Sequence, residues 1–99
     1  MKTYLFSEIV AACGGAYFGD SALLTHAARD IVIDSKQAKP GSLFIAILGE
    51  KHDGHTFIPS ARENGATLVV SDRKLAQEPY ILVPDTLLAM HAIAKRYRE

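Results

Sequence analysis

The sequence predicts an α/β domain in which a small mixed or mainly parallel sheet carries flanking helices. Three observations point there. First, Ile31-Val32-Ile33, Leu43 to Leu48, Thr67-Leu68-Val69-Val70 and Tyr80-Ile81-Leu82-Val83 are short apolar runs without polar alternation. Runs of that kind fit strands covered on both faces, as in a parallel sheet. Second, segments with helical spacing flank or separate those runs. Third, the stretches between them are rich in charge, glycine and proline, the residues of turns and loops. A chain of 99 residues fits one domain, near the size at which a single core becomes self-sufficient.

Taken in order, Ser7 is a good N-cap for a first helix carrying Ile9, Val10 and Cys13. Gly14-Gly15 closes that helix, because glycine tolerates the left-handed conformation after the last turn. Ala16 to Gly19, with Tyr17 and Phe18, reads as a short strand, whereas the polar, small segment from Asp20 to Ala28 specifies no clear element. The strand Ile31-Val32-Ile33 is closed by Asp34-Ser35-Lys36 and then by the turn Lys39-Pro40-Gly41. The run from Leu43 to Leu48 ends at Gly49. Phe57, Ile58, Ala61 and Arg62 carry a helical pattern that stops at Asn64-Gly65, with Pro59 acceptable only in the first turn. After two more strands, Asp85 caps a last helix whose apolar stripe is Leu87, Met90, Ile93, Ala94 and Tyr97. Lys95, Arg96 and Arg98 there complement the C-terminal dipole.

Eleven basic residues balance eleven acidic ones, so no global field favours nucleic acid or an anionic membrane, and any anion site must be local. Cys13 is the only cysteine, which excludes an intrachain disulfide and fits a reducing compartment; its apolar setting reads as a buried structural thiol. Nothing approaches the roughly 18 apolar residues of a membrane span, and no long apolar region follows the start as in a signal peptide. The expectation is a cytoplasmic domain without membrane insertion or a nucleic-acid partner.

Two polar loops follow apolar strands: Asp34-Ser35-Lys36, and Gly49-Glu50-Lys51-His52-Asp53-Gly54-His55. In open α/β sheets ligands sit beyond the carboxyl ends of strands, so two parallel neighbours would bring these loops to one edge. Together they offer a hydroxyl, two lysines, two imidazoles and glycine backbone, a set suited to a phosphate-bearing ligand. A helix beginning near Gly54-His55 would add its positive dipole end. Simpler readings stand beside these. Asp34-Ser35 is also an ordinary turn, and Asp53-Gly54 a turn in which Asp53 caps the next helix. His52, Asp53 and His55 are metal-ligand types, but three such residues in four positions of one loop rarely converge, so no metal is expected. His26 and His91 read as surface or helix-side histidines. No nucleophile elbow, dinucleotide fingerprint or phosphate loop is present, so the chain carries no catalytic residues for ATP chemistry.

The residues from Ile31 to Val70 resemble the N-terminal domain of the MurE/MurF branch of the Mur ligases. The resemblance is carried by Asp34-Ser35-Lys36, Pro40-Gly41-Ser42-Leu43-Phe44-Ile45-Ala46, Gly49 to His55, Phe57-Ile58, Ala61 and Gly65-Ala66. These follow the family pattern D-S-R, P-G-D-L-F-x-A, G-x-x-x-D-G-H-x-F-I, A-x-x-x-G-A in order and spacing. The early helix ending in Gly14-Gly15 and the segment from Val83 to Met90 look more like MurF than MurE.

The resemblance implies cytoplasmic ligases of peptidoglycan precursor synthesis, which extend a UDP-linked muramoyl peptide using ATP and Mg²⁺. For MurF the added group is D-alanyl-D-alanine. Residues 1–99 would then be a single N-terminal domain that holds the uridine diphosphate end of UDP-N-acetylmuramoyl-tripeptide and needs no cofactor itself. It would be inactive alone, partnered by the ligase's own central ATP-binding domain and followed by a C-terminal domain. By the same resemblance, Ile33, Ser35 and Lys36 match the loop facing the uridine diphosphate, and Gly49, Glu50, Lys51 and His52 the loop against the uracil. Asp34, Asp53, Gly54 and His55 shape those loops. Lys36 stands where arginine is usual, and Ser42 where aspartate is usual. The alternatives are the same domain of a MurE-type amino-acid ligase, or a stand-alone non-catalytic binding module.

Overall fold

Where β-branched and large apolar residues run consecutively, this chain forms strands buried on both faces. The computed structural model describes residues 4–49 and 52–97. In chain order the elements are β1 (Tyr4–Leu5), α1 (Phe6–Cys13), β2 (Ala16–Phe18), a 3₁₀ turn over Ser21–Thr25, β3 (Ala27–Ala28) and β4 (Asp30–Val32). A second 3₁₀ turn over Ser35–Gln37 precedes β5 (Ser42–Ile45), and a third over Gly54–Phe57 runs into α2 (Ile58–Glu63). They are followed by β6 (Leu68–Ser71), β7 (Tyr80–Leu82) and α3 (Thr86–Tyr97).

The main sheet has the order β2-β7-β6-β5-β4. Its four strands β4 to β7 are mutually parallel, and β2 joins the far edge antiparallel to β7. β1 and β3 make a separate antiparallel pair. The sheet is thus mixed and mainly parallel, as the unbroken apolar runs predict. Alternate residues divide between its two faces. Leu43, Ile45, Leu68, Val70 and Ile81 pack with Phe6 and Ile9 of α1 and Ala89 and Ile93 of α3. Phe44, Val69 and Tyr80 pack on the other side with Ile58 and Ala61 of α2. Leu43, Phe44, Ile45, Leu68, Val69 and Val70 have no exposed surface, and each such side chain contributes about 1.5–3 kcal/mol relative to exposure.

Several boundaries differ from the sequence reading. Ser7 does not cap α1: the N-cap position is Leu5, which makes no side-chain cap. The start is set instead by β1 pairing with β3, which brings Phe6 N–H to His26 O at 2.9 Å and draws Ser7 into the first turn. The closing glycine is as expected, with Gly14 at φ 67°. Asp85 does cap α3, its Oδ1 accepting from Leu87 N–H and Leu88 N–H at 2.9 and 3.2 Å. The buried stripe of α3, however, is Thr86, Ala89 and Ile93 with Met90 and Tyr97 beside it, while Leu87, Leu88 and Ala94 are exposed. Both stripes share Met90, Ile93 and Tyr97; the buried face extends from them to Thr86 and Ala89 and not to Leu87 and Ala94. Arg98 lies outside the described residues. The apolar run after Leu43 leaves the sheet at Ile45, because Ile47 and Leu48 fold back to meet Gly54 and Asp53. Ile33 lies just past β4 and is exposed. Cys13 is half-buried, and burial pushes its thiol pKa up. Among the described residues no helix is long and apolar enough to cross a membrane.

Candidate functional site

β4 and β5 pair in parallel through Asp30–Ser42, Ile31–Leu43 and Val32–Phe44, so both predicted loops leave from the same edge of the sheet. The first loop is tied down locally. Asp34 Oδ1 accepts from Lys36 N–H at 2.9 Å and starts the 3₁₀ turn. Asn64 Nδ2 at the end of α2 donates to Ser35 O at 2.9 Å, which fixes the turn against the body of the domain. Ser35 is buried, yet its hydroxyl makes no hydrogen bond to another described residue. Lys36 is exposed.

The second loop is closed by backbone. Leu48 bridges Asp53, Gly49 N–H donates to His52 O at 2.8 Å, and Gly54 N–H donates to Ile47 O at 2.8 Å. Position 54 demands glycine for space: a Cβ there would sit 2.7 Å from Ile47 N and 2.8 Å from Ile47 O. Asp53 does the predicted capping, its Oδ1 accepting from His55 N–H at 2.9 Å. The helical segment it caps opens as a four-residue 3₁₀ turn and continues as the six-residue α2. The dipole expected there is correspondingly short.

Between the loops lies a cavity of about 580 Å³, within the usual range for small-molecule sites. Ile33, Asp34, Ser35 and Lys36 line it from the first loop, and Gly49, His52 and Gly54 from the second. Glu50 and Lys51 lie outside the described residues. Two lining residues escaped the sequence reading, Ile47 and the half-exposed Phe57. Phe57 follows the capped turn at the same sheet edge, so the carboxyl-edge rule that selected the loops was a usable signal for it.

His55 points elsewhere. Its side chain is 4% exposed and sits between two carboxylates, with Nδ1 donating to Asp53 Oδ1 at 2.7 Å and Nε2 accepting from Asp72 N–H at 3.2 Å. Arg73 Nη2 donates to Asp53 Oδ2, and Arg73 Nε lies 3.2 Å from Asp72 Oδ1. The backbone N–H of His55, then its ring and the Arg73 guanidinium, hold the Asp53 carboxyl down to about 2. Asp53 in turn raises the pKa of Arg73. His52 faces the cavity and His55 faces inward, so these imidazoles do not converge with Asp53 on one point. Asp72 and Arg73 were not anticipated, although Ser71-Asp72-Arg73 follows a strand at the same edge.

The family model described as the Mur ligase family, catalytic domain, matches residues 29–98. The chain belongs to the Mur ligase family. Among relatives, it is 35% identical over 95 residues to a UDP-N-acetylmuramoyl-tripeptide--D-alanyl-D-alanine ligase of Buchnera aphidicola, covering 95% of this chain and 20% of the relative. It is 43% identical over 70 residues to a UDP-N-acetylmuramoyl-L-alanyl-D-glutamate--2,6-diaminopimelate ligase of Syntrophomonas wolfei, covering 68% of this chain and 14% of the relative. The fold superposes on crystal structure II of MurF from Acinetobacter baumannii with a TM-score of 0.84 and 25% identity, covering 95% of this chain and 21% of that one. The chain therefore spans about a fifth or less of the length of the Mur ligases it matches.

Proposed function

We propose that this Mur ligase domain binds the uridine diphosphate end of a UDP-N-acetylmuramoyl peptide, as the N-terminal domain of a MurF-type D-alanyl-D-alanine ligase of peptidoglycan precursor synthesis. The observation that carries the reading is the convergence of both polar loops on one cavity, lined by a serine whose hydroxyl makes no hydrogen bond to another described residue. Ser35 offers that hydroxyl to a phosphate or ribose oxygen, and Lys36 brings a point charge to the diphosphate. Ile33 and Phe57 supply apolar walls for a flat ring, and the backbone around Gly49 and His52 supplies polar edges. The MurF-type assignment is supported by the alignment of the Buchnera D-alanyl-D-alanine ligase along 95% of the chain and by the superposition on MurF with a TM-score of 0.84. The higher identity of the Syntrophomonas diaminopimelate ligase, 43%, favours a MurE-type domain as the second reading. Assay of which amino acid or dipeptide the whole protein adds decides between them.

On this reading, ATP and Mg²⁺ belong to a separate central domain of the whole ligase, in line with a chain that spans about a fifth of its relatives. The work of the present residues is to bind and orient the nucleotide end of the substrate. Calorimetric titration with UDP tests this. Ser35→Ala should weaken binding about fivefold, and Lys36→Ala about tenfold at low salt, consistent with losing one hydrogen bond and one charge-assisted contact. Neither variant should shift the melting temperature. A folded domain that binds neither UDP nor the UDP-muramoyl peptide would overturn the reading.

A further inference from the structure

We infer that Asp72 and Arg73, in the loop after β6, are positioning residues that lock the second loop into its cavity-forming shape, acting through Asp53 and His55. Neither lines the cavity. The consequence for ligand binding rests on the nucleotide-binding reading above; the lock itself does not.

The argument begins at Asp53. This residue closes the second loop by bridging Leu48, and it immediately precedes Gly54 in the cavity wall. Its two carboxylate oxygens are held from two directions. Oδ1 receives the backbone N–H and the ring Nδ1–H of His55, and Oδ2 receives Arg73 Nη2. Both restraints lead to the same place. His55 Nε2 accepts from Asp72 N–H, and the Arg73 side chain issues from the next residue. That place follows β6, an interior strand whose residues are all buried, so the anchor is tied to the middle of the sheet.

Asp72 supplies a second observation. Its Oδ1 is buried and takes no hydrogen bond among the described residues; it lies 3.0 Å from His55 Nε2, which is already an acceptor, and 3.2 Å from Arg73 Nε, the cation that offsets its charge. Two carboxylates, Asp53 and Asp72, therefore flank one buried imidazole, with the Arg73 fork bridging them. Removing the guanidinium leaves like charges facing across a buried ring. Of the two carboxylates, Asp72 is tied to the interior strand and Asp53 sits on the loop. The loop is what yields. A lysine in place of Arg73 keeps the charge but cannot hold both carboxylates with one planar fork.

Amide hydrogen exchange on this chain, without ligand, reads the lock directly. Gly49 N–H and Gly54 N–H report loop closure, and Val69 and Val70 report the sheet. In Arg73→Ala, Gly49 and Gly54 should exchange about tenfold faster while Val69 and Val70 stay unchanged. Arg73→Lys should restore part of that protection. Combined with Asp53→Asn, Arg73→Ala should add little further loss, since both remove one interaction. UDP affinity should fall about fivefold in Arg73→Ala if the competent loop is then populated about one time in five. Unchanged exchange at Gly49 and Gly54 in Arg73→Ala overturns the lock, whatever UDP does. Faster exchange at those glycines with no UDP binding by the unaltered chain upholds the lock and overturns the nucleotide reading instead.

Discussion

At the amino ends of β4, β5 and β6 the chain is stitched to itself, whereas at their carboxyl ends it opens. On the amino side Arg29 N–H donates to Gly41 O at 2.8 Å, Gly41 N–H to Gly65 O at 3.1 Å, and Thr67 N–H to Ser42 O at 2.8 Å. On the carboxyl side the loops part around a cavity of about 580 Å³. Two serines express the contrast. Ser42 is fully buried and saturated: its Oγ donates to Asp30 Oδ1 and accepts from Lys39 N–H at 3.1 Å, with Lys39 Nζ 3.3 Å from Asp30 Oδ2. Ser35 is nearly as buried, at 8%, yet no described residue takes its hydroxyl. A buried polar group whose neighbours satisfy it is part of the scaffold; a hydroxyl left without such a neighbour beside a cavity is what the proposed ligand contact requires. Ser42 thus completes the turn with Asp30 across the strand pair and does not line the cavity.

The largest expected effect lies at the stitched end. Gly65 has φ 116°, and a Cβ there would lie 2.6 Å from Pro40 N and Cα. Gly65→Ala should cost about 3 kcal/mol by chemical denaturation, with the UDP affinity of the folded fraction unchanged. Gly54→Ala is the matching change at the open end. It should cost only about 1–2 kcal/mol, because a loop can shift, but weaken UDP binding by more than tenfold. Normal binding by Gly54→Ala, or weakened binding by Gly65→Ala, would break the comparison. Next comes Ser42→Ala, which strands Asp30 and Lys39 N–H and should lower stability by about 1–2 kcal/mol without touching affinity, the reverse of Ser35→Ala.

The smallest effect is in pH dependence. The Asp53 carboxyl is held at about 2, below its ordinary 3.8, so its contribution is present above about pH 4 and is lost as pH falls towards 2. Urea midpoints followed from pH 5 down to 2 should drop more steeply in the native chain than in Asp53→Asn. Parallel curves would show that Asp53 is not held by His55 and Arg73.

The strands were legible because burial on both faces leaves its mark as an uninterrupted apolar run, as at Leu68-Val69-Val70. Parallel neighbours then placed the loops of Ser35 and His52 together. Helix faces were less legible. Leu87 and Ile93 are equally apolar, and only packing against the sheet decides that Ile93 is buried and Leu87 is not. Asp72 and Arg73 carry no short-range pattern, since their roles come from His55 and Asp53, 17 and 20 positions away.

By itself, then, the sequence determined the α/β class, the glycine and aspartate punctuation, and the two polar loops that line the cavity, because these depend on local backbone preference and on the period of apolar residues. Only the tertiary structure decided which serine hydroxyl is satisfied by described neighbours and which is not, which face of α3 turns inward, and how the loop after β6 reaches Asp53. Those outcomes depend on distances between segments remote in the chain, and no local pattern encodes a distance.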